Sequence, residues 1–465
     1  MIKPTVFKSY DIRGLSPGEL DVVFARKLGK VLAAMYSPKH VVVGCDMRTT
    51  SPELEAGLIE GLLESGVTVT RIGLCSTPVF YSAVTAAPDV YDLGVMVTAS
   101  HNPSKYNGFK MVTGTNQPIG EGSGMERIKE LMCSDLPVLS AASRGRVLQD
   151  DGAIERYLER VFRYVGLPAK MPQMTIAADA GNGMNGIVLP TFAKRLPGVT
   201  TYPLYWDLDG TFPHHEANPL NTETLHDLQA EVARRQAIFG VAFDGDGDRV
   251  GFVDETGTPI PGDILTALFA RELLKDHPGA TMLYDVRSSW SVAEIVQEAG
   301  GVARMCRVGH AHIKRQMRET GAVFGGELSM HFYFADLGYA EASDACVLLL
   351  FRILLREQKP LSQIWKPLVR YAHSGEQNFT VANPKALVEK IAQTYASQAS
   401  SISHLDGVRL EFRDAHAPEN DWWMSVRASN TEPLLRVNLE SRTPERTQEH
   451  LATISRLCSE YSTQE

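Results

Sequence analysis

The sequence predicts an α/β protein with mostly parallel sheets. Short runs rich in β-branched residues alternate with longer stretches of helical periodicity, which is the pattern of strand–helix–strand units. The alternation restarts twice, and only the residues from about 371 onward depart from it. Four domains are therefore the simplest partition, comprising residues 1–145, 146–255, 256–370 and 371–465.

The first cycle shows the pattern most clearly. His40-Val41-Val42-Val43-Gly44 is typical of a buried strand, and the leucines that follow recur every four residues on a helix that ends near Gly66. Ser51 is the predicted N-cap of that helix and Pro52 its first residue. Further strands are predicted at residues 67–69 and 93–97.

The second and third domains repeat this alternation. Their predicted strands lie at residues 174–178, 239–243, 282–284 and 322–324, and a helix begins at about Gly262. The last domain shows one helical pattern and two strand-like segments, at residues 422–427 and 434–440. It is therefore predicted to differ in type from the first three.

The composition excludes several classes of protein. Hydrophobic residues make up 44% of the 465 residues and charged residues 22%, as in an ordinary globular chain rather than a fibrous or disordered one. Lys and Arg total 46 against 55 Asp and Glu, which gives a net charge of −9. We therefore expect neither nucleic acid nor an anionic membrane as a partner.

The cysteines and the apolar runs indicate the compartment. The six cysteines include no CxxC pair, which favours scattered thiols in a reducing environment over a disulfide framework or a zinc site. The N-terminal segment has no apolar core of the kind found in signal peptides. No apolar run approaches the ~20 residues of a membrane span. We expect a cytoplasmic protein.

A polar loop follows the strand predicted at residues 93–97: Thr98-Ala99-Ser100-His101-Asn102-Pro103. Because α/β proteins bind ligands at the carboxyl ends of parallel strands, Ser100 is a candidate nucleophile or phosphoryl carrier, with Lys110 nearby to hold a phosphate. Successive side chains point apart, so we do not expect His101 to pair with Ser100. The alternative is a polar turn whose side chains bond to their own backbone.

The segment Asp244-Gly245-Asp246-Gly247-Asp248-Arg249 carries three carboxylates at alternate positions, and its glycines allow the loop to curl them around one cation. Carboxylates this close repel one another unless something neutralises them. An EF-hand is disfavoured because Arg249 stands where its turn needs glycine, and a strand precedes the loop. We predict a site for Mg²⁺ shared with a phosphate; the alternative is a solvated acidic turn.

Two further loops carry side chains that could contact a sugar phosphate. Glu327, Ser329 and His331 alternate after a predicted strand and could meet sugar hydroxyls; the alternative is a surface loop with a half-buried histidine. Arg427 precedes Ser429-Asn430-Thr431, and these residues could form a phosphate cradle of guanidinium, hydroxyl and amide groups. The alternative there is a hairpin turn with an arginine at its rim.

Together these loops resemble those of the α-D-phosphohexomutase family, and within it most closely the bacterial phosphomannomutases. The resemblance spans essentially the whole chain, with one principal loop per domain in the family's order. The matching motifs are Tyr10-Asp11-Ile12-Arg13-Gly14, Thr98-Ala99-Ser100-His101-Asn102-Pro103, Asp244-Gly245-Asp246-Gly247-Asp248-Arg249, Gly325-Gly326-Glu327-Leu328-Ser329 and Arg427-Ala428-Ser429-Asn430-Thr431-Glu432-Pro433. The resemblance implies four domains around a central cleft, three α/β domains with mixed sheets and a smaller C-terminal α+β domain.

The resemblance also implies an activity. Such enzymes interconvert hexose 6-phosphates and hexose 1-phosphates through a phosphorylated serine and a hexose 1,6-bisphosphate, which also serves as activator. The expected reaction is the reversible interconversion of mannose 6-phosphate and mannose 1-phosphate for GDP-mannose supply, with one Mg²⁺ per chain. A phosphoglucomutase or dual-specificity enzyme is the nearest alternative, because the sugars differ only in the C2 hydroxyl. A phosphatase and a non-catalytic sugar-phosphate-binding or Ca²⁺-binding protein are the others.

The same resemblance implies residue roles. The expected catalytic residues are Ser100, Arg13, His101, Lys110, Arg249 and His331. The expected substrate-binding residues are Tyr10, Arg287, His310, Glu327, Ser329, Arg427, Ser429, Asn430 and Thr431. The expected metal ligands are Ser100, Asp244, Asp246 and Asp248. Met330 replaces the small residue usual at its position, which bears on sugar preference. The expected partners are small-molecule sugar phosphates, bound by a monomer or homodimer.

Overall fold

A computed structural model describes residues 2–87, 89–134, 141, 143–429 and 434–462. The chain divides into two compact units. Unit 1 contains Met1–Ile260, Met317–Glu319 and Ser329–Ile364. Unit 2 contains Pro261–Gln316, Thr320–Leu328 and Trp365–Glu465.

Unit 1 begins with a six-stranded mixed sheet in the order β1-β5-β4-β2-β3-β6. Its strands are β1 (Ile12–Leu15), β2 (His40–Cys45), β3 (Thr68–Leu74), β4 (Leu93–Val97), β5 (Tyr106–Thr113) and β6 (Val147–Gln149). Its helices are α1 (Val22–Tyr36), α2 (Ser51–Glu64), α3 (Thr77–Ala86) and α4 (Met125–Cys133). Strands β2, β3, β4 and β6 pair in parallel, whereas β5 pairs antiparallel to both β4 and β1. Apolar side chains of β2, β4, α1 and α2 form the core beneath it.

A second, four-stranded sheet of unit 1 has the order β10-β9-β7-β8. Its elements are α5 (Ala153–Val165), β7 (Met174–Asp179), α6 (Asn185–Lys194), β8 (Val199–Leu204), α7 (His226–Arg235), β9 (Phe239–Phe243) and β10 (Val250–Asp254). Only β10 runs antiparallel to its neighbour. The β9–β10 turn carries the three aspartates, so the antiparallel edge strand determines where that loop lies.

Unit 2 opens with the three parallel strands β12-β11-β13. Its elements are α8 (Gly262–Leu273), β11 (Thr281–Asp285), α9 (Trp290–Glu298), β12 (Val302–Cys306), α10 (His310–Thr320) and β13 (Phe324–Gly326). The strand predicted at residues 322–324 thus begins two residues later. The antiparallel pair β14 (Phe332–Phe334) and β15 (Ala340–Glu341) belongs to unit 1 and is followed along the chain by α11 (Ser343–Glu357) and α12 (Leu361–Trp365).

The C-terminal part of unit 2 is an antiparallel sheet in the order β16-β21-β20-β19-β18, with β17 also pairing with β21. Its elements are β16 (Ala372–His373), β17 (Gln377–Thr380), α13 (Pro384–Tyr395), β18 (Ser401–Ser403), β19 (Val408–Phe412), β20 (Trp422–Ala428), β21 (Leu434–Ser441) and α14 (Pro444–Ser462). The predicted class, mixed α/β sheets followed by an α+β domain, is confirmed. The expectation of a single C-terminal helix was wrong, since α13 and α14 both pack on this sheet's apolar face.

One local prediction also needs correction. Thr50, not Ser51, is the N-cap of α2, because the Ser51 hydroxyl donates at 2.5 Å to the buried Asp46 carboxylate instead of capping the helix. Five of the six cysteines are buried, but Cys133 is exposed. Among the described residues, no helix combines the length and apolar character that a membrane crossing requires.

Candidate active site

Ser100 lies in the turn between β4 and β5 and is only 3% exposed. Its backbone is left-handed, with φ of 52°, and its N–H donates to Thr98 Oγ1 at 2.9 Å. The hydroxyl donates to Asp244 Oδ2 at 2.7 Å and lies 3.2 Å from His101 Nδ1. The expectation that Ser100 and His101 point apart was therefore wrong. It assumed an extended backbone, whereas the left-handed turn at Ser100 brings the two side chains together.

The three aspartates of the β9–β10 loop are buried and each offers an oxygen within 4.8 Å of the others. Burial, and then the charges of Asp248 and Asp246, raise the pKa of Asp244 well above its ordinary value. Asp246 Oδ1 is buried and, within the described part of the chain, has no hydrogen-bond partner. Buried carboxylates with a free oxygen fit a hard divalent cation, which takes oxygen ligands and offsets their repulsion. The group could hold a metal ion.

The two glycines of this loop are required by its crowding. Gly247 has φ of +76°, and a Cβ there would lie 2.0 Å from Asn185 Oδ1. A Cβ on Gly245 would lie 2.5 Å from the Ser100 carbonyl oxygen. Any side chain at either position would push the aspartates away from Ser100, so the close packing of the two loops depends on glycine.

Lys110, on β5, connects two of the aspartates. Its ammonium group donates to Asp246 Oδ2 at 2.7 Å and to Asp248 Oδ2 at 2.5 Å. Burial disfavours the charged ammonium, but these two carboxylates outweigh it and raise the pKa of Lys110 well above its ordinary value. Thr77, at the start of α3, donates to the same Asp246 oxygen at 2.7 Å. Asp246 is therefore fixed on one oxygen and leaves the other for a ligand.

Arg13, Arg249 and His331 surround this group. Arg13, on β1, donates to Asn102 Oδ1 at 2.7 Å and Asp11 Oδ2 at 2.5 Å. His331 Nε2 lies 3.4 Å from Arg249 Nε and 3.3 Å from Asp248 Oδ1. Its Nδ1 lies 3.2 Å from Ser329 Oγ. Unit 1 thus brings together all six predicted catalytic residues, the three aspartates and Ser329.

Arg48 was missed by the sequence reasoning, although it holds the serine loop in place. Its side chain is buried, and its Nε lies 3.3 Å from Asp46 Oδ2. The two terminal nitrogens donate to four backbone carbonyls, at 2.7 Å for Ser100, 2.5 Å for Asn102, 2.9 Å for Pro103 and 3.0 Å for Tyr106. One guanidinium therefore organises the whole turn that carries Ser100.

In unit 2, the sugar-loop residue Glu327 directly follows β13 and is 1% exposed. Its Oε1 accepts from the Gly309 N–H at 2.7 Å, which ties it to the turn before His310 at the start of α10. The next N–H, of Leu328, donates to Asp285 Oδ2 at 2.9 Å. The predicted sugar-binding residues of this unit thus come from neighbouring strand ends.

Arg287 and Arg427, two predicted substrate ligands of unit 2, share a carboxylate. Arg287 Nη2 pairs with Asp285 Oδ2 at 2.6 Å, and its Nη1 lies 3.6 Å from Glu376 Oε2. Arg427 Nη2 donates to the same Glu376 oxygen at 2.7 Å. Arg436, missed by the sequence reasoning, lies 3.4 Å from Glu376 Oε1. These ion pairs form a continuous chain across the unit.

The remaining predicted substrate-binding residues are Tyr10, Ser429, Asn430 and Thr431. Tyr10 is half-buried just before β1, and Ser429 follows β20, with its N–H donating to the Leu434 carbonyl at 2.8 Å. Asn430 and Thr431 lie outside the described residues. The sequence reasoning missed four residues, Thr77, Arg48, Glu376 and Arg436, because most of the groups that they contact are distant in sequence. Only their positions at or near the ends of strands and helices could have suggested them.

Comparison with known proteins agrees with this arrangement. Family profiles described as phosphoglucomutase/phosphomannomutase alpha/beta/alpha domains I, II and III match residues 4–135, 155–257 and 261–371, and the C-terminal domain profile matches 376–457. These four matches confirm the predicted number of domains.

Relatives match over nearly the full length. A phosphomannomutase of Methanocaldococcus jannaschii is 38% identical over 94% of this chain and 93% of its own. Phosphohexose mutases of Xanthomonas campestris pv. campestris are 36% identical over 94% and 95%. The crystal structure of a phosphoglucomutase/phosphomannomutase family protein from Burkholderia thailandensis has a TM-score of 0.87 and 32% identity, covering 98% of this chain and 97% of that one. The chain belongs to the phosphoglucomutase/phosphomannomutase family.

Proposed function

We propose that the protein is a phosphomannomutase, an isomerase that reversibly interconverts mannose 6-phosphate and mannose 1-phosphate through a phosphoserine and a hexose 1,6-bisphosphate. The observation that carries this proposal is the 2.7 Å hydrogen bond from the Ser100 hydroxyl to a buried aspartate of a candidate metal site. A serine beside a cation site is placed to exchange a phosphoryl group. Relatives named phosphomannomutase support mannose as the sugar.

Ser100 is the phosphoryl carrier in this proposal. When it donates, a sugar hydroxyl oxygen bonds to phosphorus and loses its proton, while the bond from phosphorus to Ser100 Oγ breaks and Oγ takes up a proton. The return step reverses these changes at the sugar's other phosphate. The buried turn excludes bulk water, which favours transfer to sugar over hydrolysis.

Charge neutralisation is the main contribution of the protein to such a transfer. Asp244, Asp246 and Asp248, with a Ser100 oxygen, would hold Mg²⁺, which when bound supplies positive charge to the phosphoryl oxygens. Arg13 and Arg249 add fixed positive charge around the serine turn. Lys110, which donates to Asp246 and Asp248, adds a third positive charge beside this group.

Two histidines are candidates for moving protons. Burial, with the charges of Arg249 and Arg13, holds the pKa of His101 well below its ordinary value. His101 is therefore neutral at pH 7, and its Nδ1 lies 3.2 Å from Ser100 Oγ, within hydrogen-bond reach of the oxygen that would carry the phosphoryl group. His331, held by Ser329 and Asp248, is the candidate base for the sugar hydroxyl. General acid–base help of this kind contributes about 10²–10⁴-fold.

The substrate contacts are assigned by charge and position. Glu327 and Ser329 accept hydrogen bonds from hydroxyl groups of the sugar, and His310 and Arg287 lie beside Glu327. Arg427 and Ser429, together with Asn430 and Thr431, grip the phosphate that is not reacting, and this fixes the sugar by its distal end. The predicted domain boundaries, the cytoplasmic location and the monomeric or dimeric state remain predictions.

A coupled assay tests the proposal. The Mg²⁺-loaded protein, primed with a trace of hexose 1,6-bisphosphate, should turn over mannose 1-phosphate with a higher kcat/KM than glucose 1-phosphate. Equal or reversed values would make it a dual-specificity enzyme or a phosphoglucomutase. Absence of turnover of both sugars, in protein whose mass shows one phosphoryl group, would refute the mutase assignment.

Mg²⁺ should raise the melting temperature by several degrees, because a ligand that binds only the folded state stabilises it by mass action. Asp246→Asn should lose most of this shift, because the unpartnered Oδ1 becomes part of a neutral amide. Asp207→Asn, at an exposed aspartate of the same unit, is the control and should keep it. Equal shifts in the wild type and Asp246→Asn would place the cation elsewhere.

A further inference from the structure

Two arginines of the C-terminal sheet face each other across adjacent strands. Arg427 on β20 and Arg436 on β21 are directly paired in the antiparallel register, so their side chains share one face of the sheet. Like charges directly opposite each other destabilise a strand pair unless a third group offsets them. The structure provides one such group, Glu376.

Glu376 lies between the two guanidinium groups. It immediately precedes β17, which pairs with β21 so that Asn378 lies opposite Arg436. Each of its carboxylate oxygens contacts one arginine. Oε2 accepts a hydrogen bond from Arg427 Nη2 at 2.7 Å, and Oε1 lies 3.4 Å from Arg436 Nη1. Burial works against the charged carboxylate, but the arginines outweigh it and hold the pKa of Glu376 below its ordinary value. The carboxylate is therefore an anion at neutral pH.

Both arginines retain donors that Glu376 does not use. The Nε atoms of Arg427 and Arg436 are buried and, among the described residues, lack hydrogen-bond partners. The third nearby guanidinium, Arg287, already pairs with Asp285 at 2.6 Å. The charge left to Arg427, Arg436 and Glu376 is thus +1, which is less than a phosphate dianion needs for neutralisation.

We propose that Glu376 is a positioning residue that acts as the displaceable counter-anion of the phosphate cradle. This inference rests on the proposed role of Arg427 as a phosphate ligand. Without substrate, the Glu376 carboxylate occupies the donor face of Arg427 and holds the two arginines together. When substrate binds, the distal phosphate of the sugar replaces the Glu376 carboxylate as the acceptor on that face of Arg427. The displaced carboxylate stays close to the phosphate, and the two negative charges repel each other. The repulsion limits affinity, so that the bisphosphate can leave the cradle and turn around.

The experiment removes the negative charge of Glu376 and keeps the shape of its side chain. Mannose 6-phosphate is titrated calorimetrically into dephosphorylated wild type, Glu376→Gln, Arg427→Gln and the control Glu298→Gln. Glu298 pairs with Arg370 on the exposed side of α9 in the same unit. We expect Glu376→Gln to bind about tenfold more tightly, because one negative charge close to the dianion is gone. Arg427→Gln should bind at least about tenfold more weakly, and Glu298→Gln should match the wild type.

Steady-state kinetics and melting distinguish this role from a structural one. In Glu376→Gln both KM and kcat should fall. KM falls because the substrate binds more tightly, and kcat falls because the product leaves more slowly. Its melting temperature should fall without ligand, because the facing arginines repel, and should recover on adding mannose 6-phosphate. Unchanged or weaker binding in Glu376→Gln, with Arg427→Gln impaired, would overturn the inference and leave the proposed function standing. Unchanged binding in Arg427→Gln would overturn the proposed cradle and the inference with it.

Discussion

Replacing Ser100 by alanine should lower mutase activity by at least about four orders of magnitude, the scale of loss when a nucleophile is removed. The variant has no oxygen to carry the phosphoryl group, and none of its neighbours in the turn offers a hydroxyl in contact with Asp244. The coupled assay with mannose 1-phosphate measures the loss. Mass spectrometry should show that the variant no longer acquires one phosphoryl group.

Ser104→Ala is the matched control. Ser104 lies in the same loop four residues later and is exposed, so its removal should change neither activity nor the phosphorylated mass. The melting temperature of Ser100→Ala should stay close to that of the wild type, because one hydroxyl is lost from a group held mainly by Lys110 and Thr77. Substantial activity in folded Ser100→Ala would mean that another side chain carries the phosphate.

Arg48→Lys should lower kcat by about a hundredfold, the cost of a small misplacement of a reacting group. A lysine ammonium has three donors on a flexible stem and cannot replace a planar fork that reaches four carbonyls at once. The turn would loosen, and Ser100 Oγ would no longer be held against Asp244. KM for mannose 1-phosphate should change less, because the proposed contacts of sugar and distal phosphate lie on other elements.

Arg48→Ala should in addition destabilise the fold by about 3–5 kcal/mol, because it leaves the buried Asp46 carboxylate without its cation. Arg144→Lys is the control, since Arg144 pairs with Glu60 at the surface and surface pairs contribute little. Melting curves and steady-state kinetics on all three variants provide the measurement. Wild-type kcat in Arg48→Lys would show that Ser100 is positioned without this guanidinium.

The predictions that succeeded depend on short stretches of chain. Strand β4 was predicted at its observed bounds, because a run of apolar residues buried on both faces is a local signal. The three aspartates were predicted to converge because two intervening glycines permit the loop to curl them around one cation. Membership of the family could also be predicted from the sequence, because each principal motif is a contiguous loop.

The predictions that failed depend on groups distant in sequence. Ser51 was taken for an N-cap because the sequence does not show Asp46 reaching its hydroxyl. The pairing of Ser100 with His101 requires a left-handed backbone at a serine, which is forced by the packing of the β9–β10 loop and Arg48 against the turn. The intrinsic backbone preference of serine gives no indication of a left-handed conformation.

The sequence by itself determined the α/β class, the order of the loops and which of them carry hydroxyl, carboxylate and guanidinium groups. These features follow from periodicity and turn chemistry within a few residues. Only the tertiary structure decided that Arg48 holds the serine turn from 52 residues away and that Thr77 fixes Asp246 from 169 residues away. It likewise placed Glu376 between two arginines. Hydrogen bonds and ion pairs act over a few ångströms of space, and separation along the chain does not specify that distance.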